Sequence, residues 1–566
     1  MKKIWLLTVV VLCGVIHAQD RPVVFYQNDG TVRYLDCSSV DSVSFTPNAT
    51  APAFYVSDKR VASYSVRMLD RIEFEYPAAA SAQAFPPAAD FRKAIDNAVA
   101  PTPTNKTEPA APQDEDDDEY GDYIEKYSIK NTLTFTWSGN TVTRSGTVPA
   151  DVTVTIDKGH VTVKSKKSKM RYRLQGTSTD GSFKIANMNV SATDDNNKKF
   201  ILELNGVDIT NPNGPAINIQ SGKTVLVNMP KDKTNSLKDG AVYTQTEGES
   251  QKGTFFSEGQ LVFSGPGTLN VTSLGGHGIC SDDYIRLRYN VGEINITAAK
   301  DGFNTKDIFL MYGGKVSINA ASDGISVRRG PFELYGGTVD IKCADDGVVS
   351  DYLNADTAFI KIGGGKLDIT TTGAKGHAVT TTGKLVVENG TVTASTQGAA
   401  SKCFTSGGDM TITDSYINLS TKGNPQFDEE ENDWSSAACI RAKSGLSISG
   451  SNLFLLSSGQ GSKCINSSSA ATLGSSVLTI AAKGSDYKVD DNNNVRSRAV
   501  DAVSLTIGEG TDLRVSAART AIYAEKNLEV AGGNSYAYTL SNDAKAVNAK
   551  ETYLQTGGLL LSGYSE

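Results

Sequence analysis

A short pattern, Gly-x-apolar-x-apolar, recurs through the centre of this 566-residue chain and limits its fold more than any other feature. It stands at Gly267–Val271, Gly292–Ile296, Gly314–Ile318, Gly337–Ile341, Gly365–Ile369 and Gly390–Ala394, with successive spacings of 25, 22, 23, 28 and 25 residues. A looser form continues at Ser415, Ser451, Ser476, Thr511, Asn534 and Gly558. After each of these comes a small residue followed by an apolar one, as in Asp301-Gly-Phe, Asp323-Gly-Ile, His377-Ala-Val, Lys402-Cys-Phe, Lys463-Cys-Ile, Arg498-Ala-Val and Lys545-Ala-Val. A unit this short has too little core to stand alone, and stacking closes a continuous one. Leucine-rich repeats share the period but require a Leu/Asn consensus that is absent. The expected fold is all-β, a parallel β-helix over 128–566, with equivalent residues of successive coils about 4.8 Å apart.

The chain before the solenoid divides in three. Residues 1–18 place Lys2 and Lys3 ahead of an apolar run from Ile4 to Ile16 and end on Ala18. That reads as a secretory signal peptide, and Leu12 fills the place where a lipid-anchor motif before Cys13 needs a small residue. The run is too short to span a bilayer and no second one follows, so the expected location is secreted, cell-surface or periplasmic. Residues 19–77 hold a duplicated unit: 23–45 aligns with 52–74, matching Phe25 with Phe54, Tyr26 with Tyr55 and Asp41 with Asp70. Each copy reads as two short strands, giving a small β module suited to cell-surface attachment or spacing. Residues 78–127, rich in Pro and Ala and carrying DEDDDEYGD at 114–122, read as a disordered acidic linker.

Charge sets the partners. The formal net charge is −8, and removal of the leader takes two lysines and no acid, leaving the chain more acidic still. Such a chain is a poor match for nucleic acid, whereas clustered carboxylates outside the cell suit divalent cations. In three consecutive coils an Asp precedes the small Gly: Asp301, Asp323 and Asp346, the last preceded by Asp345. Asp282, Asp283, Asp307 and Asp351 stand nearby in phase. Carboxylates stacked about 4.8 Å apart repel one another, and that spacing is twice a Ca²⁺–oxygen distance of about 2.4 Å. A Ca²⁺ shared between coils is therefore expected, against the alternative that each Asp simply closes its own turn.

Tyr312 and Tyr335 share a phase, with Tyr289 close to it, and an outward aromatic stack offers flat faces to pyranose rings. Arg328 and Arg329 follow Asp323-Gly-Ile and suit a uronate carboxylate. Cys403, Cys439 and Cys464 occupy the small-residue phase of successive coils, which predicts buried free thiols in a column. No nucleophile elbow or phosphate loop stands in a convincing context, so no catalytic residue is assigned.

The stretches LNGVDITNPNGPAINIQSGK (204–223), NSLKDG (235–240) and GTFFSEGQLVFSGPGTLNV (253–271), with the KDGF, SDGI and DDGV steps, resemble a bacterial family of secreted carbohydrate-binding-domain proteins. The family has a right-handed parallel β-helix distantly similar to pectate lyases. The resemblance is good over 128–350 and fades towards 566. It implies Ca²⁺ held by Asp residues between coils and binding of plant-type, acidic polysaccharide such as polygalacturonate, with Asp301, Asp323 and Asp346 on the family's Asp-Gly steps. His277, His377, Lys402 and Lys463 depart from that pattern and confine the expected metal sites to the central coils. The leading expectation is thus a calcium-dependent carbohydrate-binding protein. The alternatives are a pectate-lyase-like polysaccharide lyase, with Lys300, Lys306, Arg328 or Arg329 near the metal, and a surface rod or adhesin with structural calcium.

Overall fold

The computed structural model describes residues 106–108, 122–165, 167–186, 199–351, 357–541 and 544–564, and the backbone of short strands between 23 and 73. The leader at 1–18 and most of the stretch read as a linker lie outside the described residues.

From residue 131 onward the chain winds as a parallel β-helix with three walls. The first wall runs through Gly253–Ser257, His277–Ser281, Phe303–Thr305, Ile325–Val327 and Val348–Ser350 to Val547–Ala549. The second runs through Leu261–Ser264, Ile285–Leu287, Phe309–Met311 and Phe332–Leu334 to Thr552–Gln555. The third carries the recurring pattern itself, as in Glu293–Ala298, Lys315–Ala320 and Thr338–Cys343, and ends at Leu559–Tyr564. Each strand pairs in parallel with its equivalent one coil on, so Ile294 meets Val316, Val316 meets Val339 and Val339 meets Leu367. The first coil is closed differently. Thr141–Ser145 and Val152–Asp157 pair antiparallel with their neighbours and blunt an edge that would otherwise template further strands.

Alternation fills the interior. Along Lys315–Ala320 the buried residues are Val316, Ile318 and Ala320, while Lys315 and Asn319 are exposed. Aromatic rings stack from coil to coil as the backbones do, with Phe309 and Phe332 5.4 Å apart and 12° from parallel. The small-residue position is shaped by the third wall. A Cβ at Gly302 would collide with Ile318 Cγ2, and one at Gly324 with Ile341 Cγ2 and the Gly347 carbonyl. Where the third wall carries Ala394 or Leu419 in place of Ile, the small position admits Ala378 and then Cys403. Cys403, Cys439 and Cys464 are free thiols with no exposed surface, each donating to carbonyls of the adjacent third-wall strands.

The module at 23–73 differs from the expected pair of strands per copy. Each copy holds three, Val23–Gln27, Val32–Leu35 and Ser42–Ser44, then Ala53–Val56, Lys59–Ser63 and Leu69–Glu73. The copies also exchange: Val23–Gln27 pairs with Val32–Leu35 on one side and Leu69–Glu73 on the other, while Ser42–Ser44 joins the second copy's hairpin.

Candidate metal centre and the charged ledge

The residue before each small position sits at the corner where the third wall turns into the first. In successive coils it is His277, Asp301, Asp323, Asp346, His377, Lys402, Ala438, Lys463, Arg498, Thr520 and Lys545. Strand pairing sets these residues in one row, as Lys402 opposite Ala438, Ala438 opposite Lys463, and Lys463 opposite Arg498. The row forms a ledge along the rod.

Hydrogen bonds tie the ledge together coil by coil. Asp301 Oδ1 accepts from the Asp323 N–H (3.3 Å), Asp323 Oδ1 from the Asp346 N–H (3.1 Å), and Asp346 Oδ1 from the His377 N–H (2.6 Å). His377 Nδ1 accepts in turn from the Lys402 N–H (3.1 Å). Each Asp thus serves the next coil's backbone, where the turn-closing alternative has it serving its own.

These bonds leave charge unbalanced in the central coils. Burial opposes the charge on Asp301, but His277 and the Asn304 amide outweigh it and hold its carboxyl below the usual range. Burial, with the Asp301 charge behind it, pushes Asp323 up to about 7. Burial again comes first for Asp346, pushed up to about 8 against the bond from His377 N and with Asp323 adding repulsion. One carboxylate oxygen each from Asp323, Asp345 and Asp346 lies within 4.8 Å of the other two. None of these three has a Lys or Arg partner among the described residues. Hard oxygen donors at twice a Ca²⁺–oxygen distance, short of positive charge, fit a divalent cation such as Ca²⁺.

The other acids singled out by phase are used differently. Asp282 is paired with Lys252 and with Arg328 (3.3 Å), and Asp307 takes both Nε (3.2 Å) and NH2 (2.9 Å) of Arg329. Arg328 and Arg329 are therefore each tied in part to an acid one or two coils back, with their side chains still partly exposed. Asp283 accepts from the Gln260 amide (2.5 Å), and Asp351 is exposed beyond the cluster. Of the eight acids singled out by phase, the structure gathers Asp323, Asp345 and Asp346, with Asp301 one hydrogen bond away.

Beyond Asp346 the ledge changes sign. Burial, with Lys402 second, holds His377 down to about 3, so it is a neutral acceptor. Lys402 donates to the Ala400 carbonyl (2.8 Å) and Ser435 Oγ (2.9 Å), and burial lowers it to about 8. Lys463 and Arg498 meet on Asp501, at 2.6 and 3.0 Å. In these coils a side-chain cation stands where the central coils have a carboxylate.

Tyr312 and Tyr335 are stacked and Tyr335 is buried, while Tyr289 beside them is exposed. Tyr312 and Tyr335 lie 5.3 Å apart and 17° from parallel. Tyr335 is only 7% exposed, with Lys106 Nζ 4.3 Å over its ring, and Arg286 lies 5.5 Å over Tyr312. The open aromatic platform expected from the sequence is corrected at Tyr335, whose ring is covered. The cover is the segment ahead of the solenoid. The Lys106 N–H donates to the Tyr335 carbonyl (2.9 Å), Glu108 accepts from Arg286 (2.5 Å) and Arg288 (3.4 Å), and Asp122 accepts from the Tyr284 hydroxyl (2.5 Å). Glu125 meets Arg288 at 2.6 Å, and Ile124, Tyr127 and Ile129 pack on Ile201, Leu226 and Val262. The signal for this strap was present in Ile285-Arg286-Leu287-Arg288, a strand whose outward positions are both cations.

Two hairpins were also missed. Gln426–Asp428 with Asp433–Ser435, and Tyr487–Lys488 with Asn494–Val495, leave the solenoid beside the later ledge and touch through Trp434 and Tyr487, 5.4 Å apart. Their signal was the extra length between Lys402 and Ala438 and between Lys463 and Arg498.

The family described as carbohydrate-binding domain-containing protein matches residues 153–384 and 332–472. Among solved structures, one of a polysaccharide lyase-like protein from C. thermocellum, a gadolinium derivative, shares 21% identity over 46% of this chain and 97% of that one, with a TM-score of 0.38. A score that low adds nothing to the fold read from the strand pairing. No curated protein matches the chain.

Proposed function

Because this chain belongs to the family of carbohydrate-binding domain-containing proteins, we propose that it is a secreted, calcium-dependent binder of acidic, polygalacturonate-type polysaccharide. The observation that supports this reading is the trio Asp323, Asp345 and Asp346, whose oxygens converge within 4.8 Å while the neighbouring Asp282 and Asp307 have their own Arg partners. A Ca²⁺ there would be held by these three carboxylates and would supply positive charge to a uronate. The chain's own part is to fix the spacing: the coil-to-coil bonds from Asp346 N and His377 N orient two of the carboxylates before any ion arrives. The module at 19–77 suits attachment to the cell surface.

Calorimetric titration of the full chain with Ca²⁺, beside Asp323→Asn, tests the metal. Affinity electrophoresis in polygalacturonate gels, with and without EGTA, tests the glycan. Calcium binding that disappears in Asp323→Asn, and retardation that weakens at least about tenfold on chelation, are expected. A binder leaves absorbance near 235 nm flat during incubation with polygalacturonate, whereas a lyase raises it. Equal retardation with and without EGTA overturns the calcium bridge.

A further inference from the structure

At the far end of the ledge a cleft of about 220 Å³ opens between the second hairpin and the last coils, lined by Arg496, Arg498, Arg519, Tyr523, Lys545 and Asn548 among others. None of its described lining residues is acidic. In a chain of net charge −8 such a concentration of cations is a local reversal of the field.

The arginines are held in place without being used up. Asp486, on the hairpin side, takes Arg496 NH1 (2.7 Å) and Arg519 Nε (3.3 Å) on the same oxygen. Arg498 gives NH1 to Asp501 (3.0 Å), and its guanidinium lies 3.5 Å over the Tyr523 ring, which fixes its plane. Each guanidinium therefore keeps donors unspent, and Lys545 has no ion-pair partner among the described residues. Asp486 and Asp501 together answer Arg496, Arg519, Arg498 and Lys463, so positive charge is in excess even before Lys545 is counted. Preoriented guanidinium edges are suited to a planar carboxylate or a sulfate ester. The volume lies below the ~300–1,000 Å³ that encloses a drug-sized ligand, which suits one charged sugar unit of a polymer. Tyr487 and Trp434, on the hairpins alongside, add ring faces of the kind sugars stack on.

Register connects this cleft to the metal centre. Lys463 lies opposite Arg498 and Arg498 opposite Thr520, and the Ile522–Val547 pair puts Lys545 next, all on the ledge positions of Asp323 and Asp346. We propose that this cleft is a second, metal-independent subsite that takes the oxyanion of an acidic sugar directly, where the central coils take it through a cation. The inference rests on the acidic-glycan reading above and adds a site to it.

The test uses the full chain in EGTA, with galacturonate oligomers as one probe and dextran sulfate as another, at low and high salt. A salt-sensitive affinity that persists without calcium is expected, at least about tenfold weaker in Arg519→Ala/Lys545→Ala, while calcium binding and the melting temperature of that variant match the parent. The probe that binds identifies the oxyanion as carboxylate or sulfate ester. Absence of EGTA-resistant binding to both probes, or equal binding by parent and variant, overturns the subsite and leaves the calcium reading standing. Loss of all glycan binding in the cleft variant, with no effect of Asp323→Asn, upholds the subsite and overturns the calcium reading.

Discussion

Two stretches of one ledge sit on equivalent backbone positions and carry opposite charge. Asp301, Asp323 and Asp346 line the central coils, while Lys402, Lys463, Arg498 and Lys545 line the later ones. A parallel coil stack imposes repetition: whatever occupies a corner is set about 4.8 Å from its equivalent. It does not impose how repeated charge is neutralised. Two of the later cations are answered from within, Lys402 by the Ala400 carbonyl and Ser435 and Lys463 by Asp501, while Lys545 is left to the cleft. Asp323, Asp345 and Asp346 meet no Lys or Arg among the described residues, and the proposed calcium would do there what Asp501 does for Lys463.

The largest expected effect lies on the strap that crosses the second wall of the early and central coils. Glu108 is enclosed with Arg286 and Arg288, so Glu108→Gln leaves buried guanidinium charge short of its partner. Breaking a buried pair typically costs about 3–5 kcal/mol, and the low end is expected because Asp122 and Glu125 remain. Urea unfolding gives the value directly. Next comes calcium. At a hundred times its dissociation constant it is expected to stabilise the parent by about 2.7 kcal/mol. Asp323→Asn, read by the same melt, should abolish that gain.

A third comparison concerns packing at the small position. Gly324→Ala sets a methyl against Ile341 and the Gly347 carbonyl, and overpacking of this kind costs about 1–3 kcal/mol. Ala499→Gly, at the equivalent later position, should cost about 1–2 kcal/mol, from backbone entropy and one lost buried methyl, with no clash involved. A Gly324→Ala variant as stable as the parent in thermal melts contradicts the account of the Gly–Ile pairing.

The sharpest contrast is in pH. In EGTA the folded chain holds protons on Asp323 and Asp346 that the unfolded chain releases near pH 4, so stability should fall as pH rises from about 4 to about 8. Lys402 acts with the opposite sign. Its folded value of about 8 lies below the ordinary lysine range, so the unfolded state binds the proton more tightly and stability should rise from about pH 8 to about 10.5. Lys402→Met should flatten the alkaline limb, and saturating calcium the acidic one, in melting temperature measured against pH.

The solenoid was legible because its signal is repeated and local. Gly-x-apolar-x-apolar sets the third wall, and one-to-one register then carries Asp301, Asp323 and Asp346 to neighbouring places without further information. What was not legible depends on contacts outside the repeat. Arg328 reaches back to Asp282 and Arg329 to Asp307 around a corner whose geometry no periodicity encodes. Glu108 meets Arg288 across 180 residues, and Asp122, the last residue of a run that reads as a solvated tether, meets Arg286, a cation that the repeat does not announce. The hairpins at 426–435 and 487–495 showed in the sequence only as irregular spacing, and their aromatic contact depends on the rod bringing non-adjacent insertions side by side.

The chain of bonds along the ledge has a direction. Asp301, Asp323 and Asp346 each accept from the coil that follows, and His377 does likewise. Damage at one corner therefore travels downstream only: truncating Asp346 orphans the amide of His377 and leaves the Asp323 amide untouched. Along this edge the rod is polar, and hydrogen exchange after a single truncation would show which way it points.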